Sequence, residues 1–277
     1  MRVLVTGSSG FIGQHVCAEL TRRGHEPVPF DRPALDIRFP GDVAQALHGT
    51  RAVINLAGML GTPELLGAER AACETNILGA VNLYDAAARY GGLPVVQIGT
   101  GHKGQPNPYA ITKGCAEDLG LARARWLGEK IAVVRAYHVY GPGQLPGAPY
   151  GPASVDKFFP TFACRSLSGL PLELCGGGGQ LIDPVHVSDV AVALADAIAG
   201  PYGTVTEAGC GKPVSVAQVA ADIAAATGRG AVLAPAPGRP GEPRDAEVVA
   251  AAPACRNPWP YLVPETVEWY RQWLARS

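Results

Sequence analysis

The chain has 277 residues, of which 47% are hydrophobic and 17% are charged, and its formal net charge is −1. This balance provides no basic field for nucleic acid or an anionic membrane surface, so neither is expected as a partner. Seven cysteines without a Cys-x-x-Cys pair favour reduced thiols in a cytoplasmic protein over disulfides or zinc, and six histidines without paired spacing predict no metal site.

A short apolar strand and a glycine-rich turn open the chain. Residues 3–5 form an apolar run typical of a buried parallel strand, and it begins so early that no signal peptide is expected. Gly7, Gly10 and Gly13 follow at three-residue intervals and lead into an amphipathic segment over residues 14–23. Strand, glycine turn and helix together bring backbone amides to the pyrophosphate of a dinucleotide.

A second strand is predicted over residues 27–30 and ends at Asp31. A carboxylate at this point accepts hydrogen bonds from the adenosine ribose and repels a 2′-phosphate, which favours NAD over NADP. Arg32 is the counter-argument, because a guanidinium there could stack on adenine or hold a phosphate.

Strands and helices continue to alternate along the chain. Further buried strands are predicted over residues 52–56, 94–98 and 131–135, and helices near 42–48, 64–88, 109–127, 154–168, 186–199, 215–226 and 263–273. The alternation predicts an α/β fold with a doubly wound parallel (Rossmann) sheet and ligands at the carboxyl ends of its strands. Residues 191–200 are alanine-rich but carry Asp196, so no membrane span is expected.

Glycine- and proline-rich segments become frequent after Gly141. We therefore predict an NAD-binding domain over residues 1–143, with a return near 183–200, and a smaller substrate lobe built mainly by residues 144–277.

Tyr109 and Lys113 are four residues apart at the start of a predicted helix and share one of its faces. Asn107 and Pro108 precede them as a helix cap and a first-turn proline. A nearby ammonium favours ionisation of a phenol, so Tyr109 is a candidate general acid and base. Taken alone the pair is more typical of a solvated helix face, but the N-terminal glycine motif favours the catalytic interpretation.

With these motifs the chain resembles the extended short-chain dehydrogenase/reductase superfamily, in particular its nucleotide-sugar epimerases, dehydratases and ketoreductases. The resemblance is carried by residues 6–13, 35–37, 55–58, 76–83, 133–142 and 183–190. It implies catalysis by Thr100, Tyr109 and Lys113. It also implies that NAD is bound by Gly7, Gly10, Phe11, Ile12, Gly13, Asp31, Arg32, Asp36, Ile37, Leu56, Ala57, Gly58, Asn76, Tyr109 and Lys113.

The chain departs from the family next to the catalytic residues. Only nine positions separate Thr100 from Tyr109, whereas extended members of the family usually have a much longer substrate-contacting segment there. Family dehydratases place an acidic pair after the catalytic threonine. Gly101 and His102 supply no carboxylate, which disfavours dehydration.

Other departures concern the substrate. Ile182 stands where the family usually has a pyrophosphate-binding arginine. His138 replaces an asparagine common in epimerases, and it is either a substrate contact with acid–base capacity or a residue of the pocket wall. Arg239 resembles the family's second phosphate-binding arginine, with Arg244 as a potential helper; the alternative for both is a solvated loop cation.

Three functions remain open from the sequence. The first is an NAD-dependent nucleotide-sugar epimerase, in which hydride leaves the sugar, the keto intermediate turns and hydride returns. The second is an NAD(P)H-dependent keto-sugar reductase, favoured by the short interval from Asp31 to Asp36 and by Ile182. The third is a catalytically idle nucleotide-bound sensor or scaffold. The expected partner is a small molecule, a nucleotide-sugar in the first case, and a homodimer is compatible with all three.

Overall fold

The computed structural model describes residues 1–230, 232–241, 247–252 and 255–276. The described strands are β1 (Arg2–Thr6), β2 (Glu26–Phe30), β3 (Ala52–Asn55), β4 (Val95–Thr100), β5 (Ile131–Ala136), β6 (His138–Tyr140), β7 (Leu172–Cys175), β8 (Leu181–Ile182), β9 (Pro184–His186), β10 (Val205–Ala208), β11 (Val214–Ser215), β12 (Leu233–Ala236) and β13 (Glu247–Val248). The described α-helices are α1 (Phe11–Arg22), α2 (Pro40–Leu47), α3 (Glu69–Ala72), α4 (Gly79–Arg89), α5 (Pro108–Leu127), α6 (Phe158–Leu167), α7 (Val187–Asp196), α8 (Val216–Thr227) and α9 (Val263–Arg276).

Among the described residues, six strands form one parallel sheet in the order β10–β5–β4–β3–β1–β2. Side chains alternate between its faces, because Val3 and Val5 join one apolar cluster while Leu4 joins another. Helices α1 and α7 cover the first face, and α2, α4 and α5 cover the second. The predicted doubly wound α/β sheet is confirmed, and the carboxyl ends of its strands form one edge where a ligand can bind.

A third apolar cluster is built by the later part of the chain. Phe159 and Phe162 of α6 pack there with Ile223 of α8 and Tyr270 of α9. Strand β7 pairs with β12, and β8 lies between β11 and β13. The boundary at residue 143 stays a prediction. Two later elements are part of the first domain's architecture, because β10 is a strand of the main sheet and α7 packs on one of its faces.

The helix expected over residues 64–88 is interrupted. A 3₁₀ turn covers Pro63–Leu65, and a π-helical turn over Cys73–Leu78 separates α3 from α4. Gly67 between the first two pieces has a φ of 85°, a left-handed conformation that ends helical geometry. The helix predicted over 154–168 begins only at Phe158, and the one over 186–199 ends at Asp196, followed by a 3₁₀ turn.

The expectation that all cysteines are reduced is wrong for one pair, because Cys210 and Cys255 form a disulfide. The fully buried Asp183 carboxylate brings the two segments together, since it accepts the backbone N–H groups of Cys210, Gly211 and Ala250 at 2.8–3.0 Å. The cytoplasmic location inferred from the cysteine count stays a prediction.

Neither a membrane-spanning helix nor a metal site is found in the described ranges. No helix there combines the length and apolar character that a membrane crossing requires. Within the same ranges, no group of three or more histidine, cysteine or acidic side chains is arranged to hold a metal ion.

Candidate active site

The glycine turn packs backbone against backbone between β1 and α1. Gly7 has a φ of 68°, and its N–H donates to Phe30 O at 3.0 Å. A Cβ on Gly13 would lie 2.1 Å from Gly7 O, so no side chain fits there. Gly10 caps α1 without a side-chain hydrogen bond, and the first intrahelical bond runs from Gln14 N to Gly10 O at 3.0 Å. The amides of the first turn therefore lack helical acceptors and suit an anion such as pyrophosphate.

Asp31 lies directly beside this turn, as the sequence predicts for the adenosine end of a dinucleotide site. Its carboxylate accepts hydrogen bonds from the Ser8 hydroxyl and from Ser9 N–H, the latter at 3.1 Å. Arg32 lines a neighbouring surface pocket together with Arg38 and Phe39. Asp36 and Asp42 also line it, so two guanidinium groups, two carboxylates and one aromatic ring lie together there.

Asp36 and Ile37 are engaged by the protein itself. The Arg38 guanidinium binds the Asp36 carboxylate at 2.7 Å and holds the pKa of that carboxyl below its ordinary value. Ile37 is buried against Gly79, where an added Cβ would lie 2.6 Å from Ile37 Cδ1. Asp36 lines the same surface pocket as Arg32, whereas Ile37 packs in the apolar core, and the contact of both with the cofactor stays a prediction.

The segment after β3 passes close to the glycine turn. Thr6 Oγ1 accepts the N–H groups of Leu56 and Ala57, each at 3.1 Å. A Cβ on Gly7 would lie 3.1 Å from Ala57 N, and one on Gly58 would lie 3.8 Å from Lys113 Nζ. The backbone of residues 56–58 therefore lies between the glycine turn and helix α5.

Asn76 in the π-helical turn fixes the end of this segment by hydrogen bonds. Its Oδ1 accepts Met59 N–H at 2.7 Å, and its Nδ2 donates to Met59 O at 3.0 Å and to Thr112 Oγ1 at 2.9 Å. In the described residues these bonds join the end of β3 to α5. A contact of Asn76 with the cofactor stays a prediction.

Helix α5 brings Tyr109 to the end of β4. Asn107 caps the helix through a bond from Ala110 N to its Oδ1 at 2.9 Å, as predicted, and Pro108 takes the first helical position. Tyr109 lies beside Thr100, the last residue of β4, whose buried side chain lowers the pKa of the phenol. The tyrosine and the predicted third catalytic residue are therefore brought together in spite of the short connection.

The pKa shifts of Tyr109 and Lys113 differ from those expected from the sequence. Burial raises the pKa of the Tyr109 phenol, and the hydrogen bond from Thr100 opposes this only in part. Lys113 is 6% exposed, and burial lowers its pKa to about 8, against a smaller opposite effect of the Glu117 carboxylate. The prediction that Lys113 lowers the pKa of Tyr109 is wrong for the cofactor-free protein.

A buried carboxylate anchors the short segment between Thr100 and Tyr109. Glu117, one helical turn after Lys113 and 1% exposed, accepts Lys103 Nζ at 2.9 Å and binds Arg135 of β5 through both carboxylate oxygens. Sequence reasoning missed this network because its members are far apart in the chain.

A cleft of about 470 Å³ opens beside Tyr109. His138 lines it as predicted, together with His102, Gln105 and Lys157, which the sequence did not single out. His102 could have been noticed from the sequence, because it stands only two residues after Thr100.

Arg239 and Ile182 line the far part of the same cleft. The guanidinium of Arg239 forms an ion pair with Glu64 at 3.3 Å, and Ile182 is buried, so the wall is apolar at that position. Arg244 lies outside the described residues.

The fold and this site define a dinucleotide-dependent α/β enzyme. The profile of the NAD dependent epimerase/dehydratase family matches residues 3–206, and the chain belongs to that family. Membership confirms the resemblance to extended short-chain dehydrogenases/reductases, the enzymatic nature of the chain and NAD as its cofactor.

Individual relatives include both reaction types in the family name. The dTDP-glucose 4,6-dehydratase of Streptomyces antibioticus is 30% identical over 230 residues, which cover 68% of this chain and 66% of that protein. The solved UDP-glucose 4-epimerase of Thermus thermophilus, in complex with NAD, is 28% identical with a TM-score of 0.85 and covers 98% and 99% of the two chains. An uncharacterized UDP-glucose epimerase of Bacillus subtilis, YtcB, is 26% identical over 84% of each chain. These similarities establish the class of NAD-dependent epimerases and dehydratases, and they support epimerisation and dehydration equally.

Proposed function

We propose that this protein is an NAD-dependent nucleotide-sugar epimerase that acts through a transient keto intermediate. The observation that carries the proposal is the position of Tyr109 beside Thr100 at the carboxyl end of β4, where Tyr109 lines a cleft of about 470 Å³. The absence of a carboxylate at Gly101 and His102 favours epimerisation over dehydration.

The glycine turn fits NAD by shape and by charge. The pyrophosphate would bind the free amides at the start of α1, Asp31 would accept the adenosine ribose hydroxyls, and Lys113 would bind the ribose of the nicotinamide. Bound there, NAD supplies reversible acceptance of a hydride from a sugar carbon.

The residues of the chain carry the proton and hold the substrate. Thr100 holds the reacting sugar oxygen by a hydrogen bond, and Tyr109 removes the hydroxyl proton and later returns it. In the complex, the ammonium of Lys113 stabilises the phenolate by its positive charge. His138 contacts the sugar from the cleft wall, and Arg239 holds part of the diphosphate.

A panel of UDP-, dTDP- and GDP-sugars, screened by thermal shift in the presence of NAD, tests the substrate class. At least one nucleotide-sugar is expected to raise the melting temperature and to be converted into its epimer. Arg239→Ala should raise KM for that sugar, at a cost of about 1.5–3 kcal/mol for a charged hydrogen bond, with little effect on NAD binding. If only a non-nucleotide polyol or ketone shifts the melting temperature, the nucleotide-sugar assignment fails.

Tyr109→Phe tests the chemistry. Removal of the phenol should lower turnover by about 10²–10⁴-fold while NAD still binds, because the ring is retained and only the proton donor is lost. Substantial turnover in this variant would rule out the proposed proton transfer.

Reduction of a keto-sugar is the second candidate, and the apolar wall at Ile182 favours it, because a nucleotide diphosphate gains no arginine there. Retention of the cofactor separates the two reactions. An epimerase returns each hydride and should purify with tightly bound NAD. A reductase should purify without it and oxidise added NAD(P)H only with a keto-sugar.

A homodimer is part of the proposal. Helix α5 exposes Ile111, Leu119 and Trp126 on one face, and Leu78 and Tyr90 are exposed beside the neighbouring α4. Exposed large apolar side chains on two neighbouring helices are typical of an interface. Light scattering should give twice the chain mass, and Trp126→Glu should halve it; a wild-type monomer at working concentration refutes the dimer.

A further inference from the structure

The disulfide between Cys210 and Cys255 lies next to a segment of chain that forms part of the cleft wall. Residues 247–252, the wall segment, begin with β13. Within β13, Val248 pairs with Ile182 of β8, and both residues line the cleft. The pairing covers only two residues of each strand, so by itself it gives this part of the wall little stability.

Two carboxylates of the main domain bind the backbone of the wall segment. Asp183 accepts the N–H of Ala250 at 3.0 Å. Glu207 accepts the next two N–H groups, those of Ala251 and Ala252, at 2.6 and 2.9 Å. Hydrogen bonds of this kind open and close locally without unfolding of the whole protein. Alone, they keep the wall segment near its place but allow it to open transiently.

The disulfide adds a covalent link beside these hydrogen bonds. Cys210 belongs to the apolar cluster of the main sheet, and Cys255 packs against the same cluster. Just after Cys255, the N–H groups of Arg256 and Asn257 donate to Asp189 at 2.8 and 2.9 Å. The chain before and after Cys255 is thus hydrogen-bonded to the main domain. The two sulfurs therefore stay close together when the bond between them is broken, which favours its return.

The two sulfurs differ in accessibility. Cys210 is 5% exposed, whereas Cys255 is only partly buried. A thiolate attacks a disulfide at a sulfur that it can reach, and exposed disulfides are the labile ones. Cys73 and Cys115 are free and exposed, so reduced thiols and a disulfide coexist among the described residues. Cys255 Sγ is the atom at which an external thiol can react.

We propose that Cys210 and Cys255 form a site of thiol–disulfide exchange with a dithiol, and that their reduction loosens the wall segment of the cleft. A thiolate of the dithiol bonds to Sγ of Cys255, and the electron pair of the broken S–S bond goes to the sulfur of Cys210, which takes up a proton. The second thiol of the dithiol then displaces Cys255 as a thiol. The dithiol ends as a disulfide, and oxidised glutathione reverses the exchange by the same chemistry.

The exchange gives the cleft a redox control that goes beyond the proposed function. Loosening of β13 disturbs the wall at Val248 and Ile182, so a ligand of the cleft should bind several-fold more weakly to the reduced protein. The glycine turn lies between β1 and α1, whereas the wall segment pairs with β8. Binding of NAD should therefore be the same in both redox states.

Amide hydrogen exchange, followed by mass spectrometry of the full chain, tests the proposal. Dithiothreitol should speed exchange in the wall segment by about tenfold, because its hydrogen bonds then open without the covalent link. Peptides from β1 and β4 should exchange equally in both states. Removal of dithiothreitol and addition of oxidised glutathione should restore slow exchange. Equal exchange of the wall segment in the oxidised and reduced protein overturns the proposal.

A pair of variants separates the disulfide from other effects of the reductant. Cys255→Ser should show fast exchange of the wall segment with and without dithiothreitol. Cys73→Ser, which changes an exposed free cysteine, should behave like wild type. Alkylation of native wild type decides the matter even if Cys255→Ser does not fold. Iodoacetamide should label Cys255 only after dithiothreitol but Cys73 in both conditions, and a Cys255 that native dithiothreitol leaves unlabelled contradicts the proposal.

The outcome is separable from that of the proposed function. UDP-, dTDP- and GDP-sugars are titrated into the NAD-loaded protein, oxidised and reduced. A sugar that binds both forms equally contradicts the link between the disulfide and the cleft and leaves the epimerase assignment intact. Failure of every sugar to bind refutes the nucleotide-sugar assignment, while hydrogen exchange in the wall segment still decides the redox proposal.

Discussion

Burial opposes both charges that the catalytic pair needs. It raises the pKa of Tyr109 and lowers that of Lys113 to about 8, so in the cofactor-free protein the phenol is harder to ionise and the ammonium loses its proton at a lower pH than an ordinary lysine. The ammonium of Lys113 is kept in a poorly solvated place for the sake of its function, and this should cost stability.

The pH dependence of unfolding reveals that cost. Below pH 8 Lys113 is charged in both states, and the penalty for burying the charge is fully present. Between about pH 8 and the ordinary pKa of 10.5 the folded state loses its proton first, so stability should rise with pH.

Lys113→Met should raise the free energy of unfolding at pH 7 by up to roughly 3 kcal/mol and remove this rise with pH. Urea denaturation of the cofactor-free protein at several pH values measures both effects, with the exposed Lys130→Met as control; equal stabilities of wild type and Lys113→Met contradict the argument.

Asp31 should determine the choice of cofactor. Ser8 and Ser9 already orient its carboxylate in the cofactor-free protein, so it faces a 2′-phosphate with a fixed negative charge. Titration should give tighter binding of NAD(H) than of NADP(H), and Asp31→Ala should narrow the difference by weakening the first and relieving repulsion of the second. Equal or tighter binding of NADPH by wild type would invalidate this reasoning.

At the scale of elements, Glu117 joins three parts of the fold. Its carboxylate ties the segment after β4 and strand β5 to α5 through Lys103 and Arg135. Glu117→Gln removes the buried charge, while Lys103 keeps Asp118 and Arg135 keeps Glu207 as partners, so the free energy of unfolding should fall by about 1.5–3 kcal/mol, the range for hydrogen bonds to charged groups. Glu268→Gln, which removes an exposed ion pair with Arg271, should change it by less than about 1 kcal/mol. Denaturant titration compares the two, and a small effect of Glu117→Gln would show that the network is dispensable.

The strands that sequence reasoning found are those with continuous apolar runs. β1, β3, β4 and β5 are buried on both faces, and their composition alone predicts them. β10 was missed because its four residues, Val-Thr-Glu-Ala, read as polar, and it becomes a strand only by pairing with β5 at the sheet edge. For such a segment, pairing with a neighbouring strand in the folded chain determines whether it forms a strand.

The same limit applies to the site. The glycine turn, Asp31 and the spacing of Tyr109 and Lys113 are local patterns, so the sequence predicts them directly. The contact of His102 with His138 and the ion pair of Arg239 with Glu64 join residues far apart in the chain. No local pattern encodes such contacts, and only the folded chain brings these side chains together.

At the scale of the whole molecule, the disulfide and two carboxylates attach the later chain to the main sheet. Asp183 binds the backbone near Cys210, and Asp189 of α7 accepts the N–H groups of Arg256 and Asn257 at 2.8 and 2.9 Å, next to Cys255. The disulfide closes a loop with a sequence separation of 45 residues, so its reduction should lower the free energy of unfolding by about 2–4 kcal/mol.

Denaturation with and without a reductant measures this contribution. A variant with both cysteines changed to serine serves as control and should be insensitive to the reductant. Identical curves for wild type under both conditions would show that the bond adds nothing to stability.

The ion pair between Glu64 and Arg239, a residue that lines the cleft, connects positions 175 residues apart in the chain. In the free protein Glu64 occupies the place of an anionic ligand, so a diphosphate that binds Arg239 must displace this internal competitor. The measured affinity is then the difference between two ion pairs, and Glu64 is left facing a ligand of its own charge. Glu64→Gln should therefore bind a nucleotide-sugar a few-fold more tightly, in line with the roughly 0.2–1 kcal/mol of a partly exposed pair. Calorimetry at two salt concentrations would measure the gain, and weaker binding by Glu64→Gln would mean that the glutamate assists the ligand.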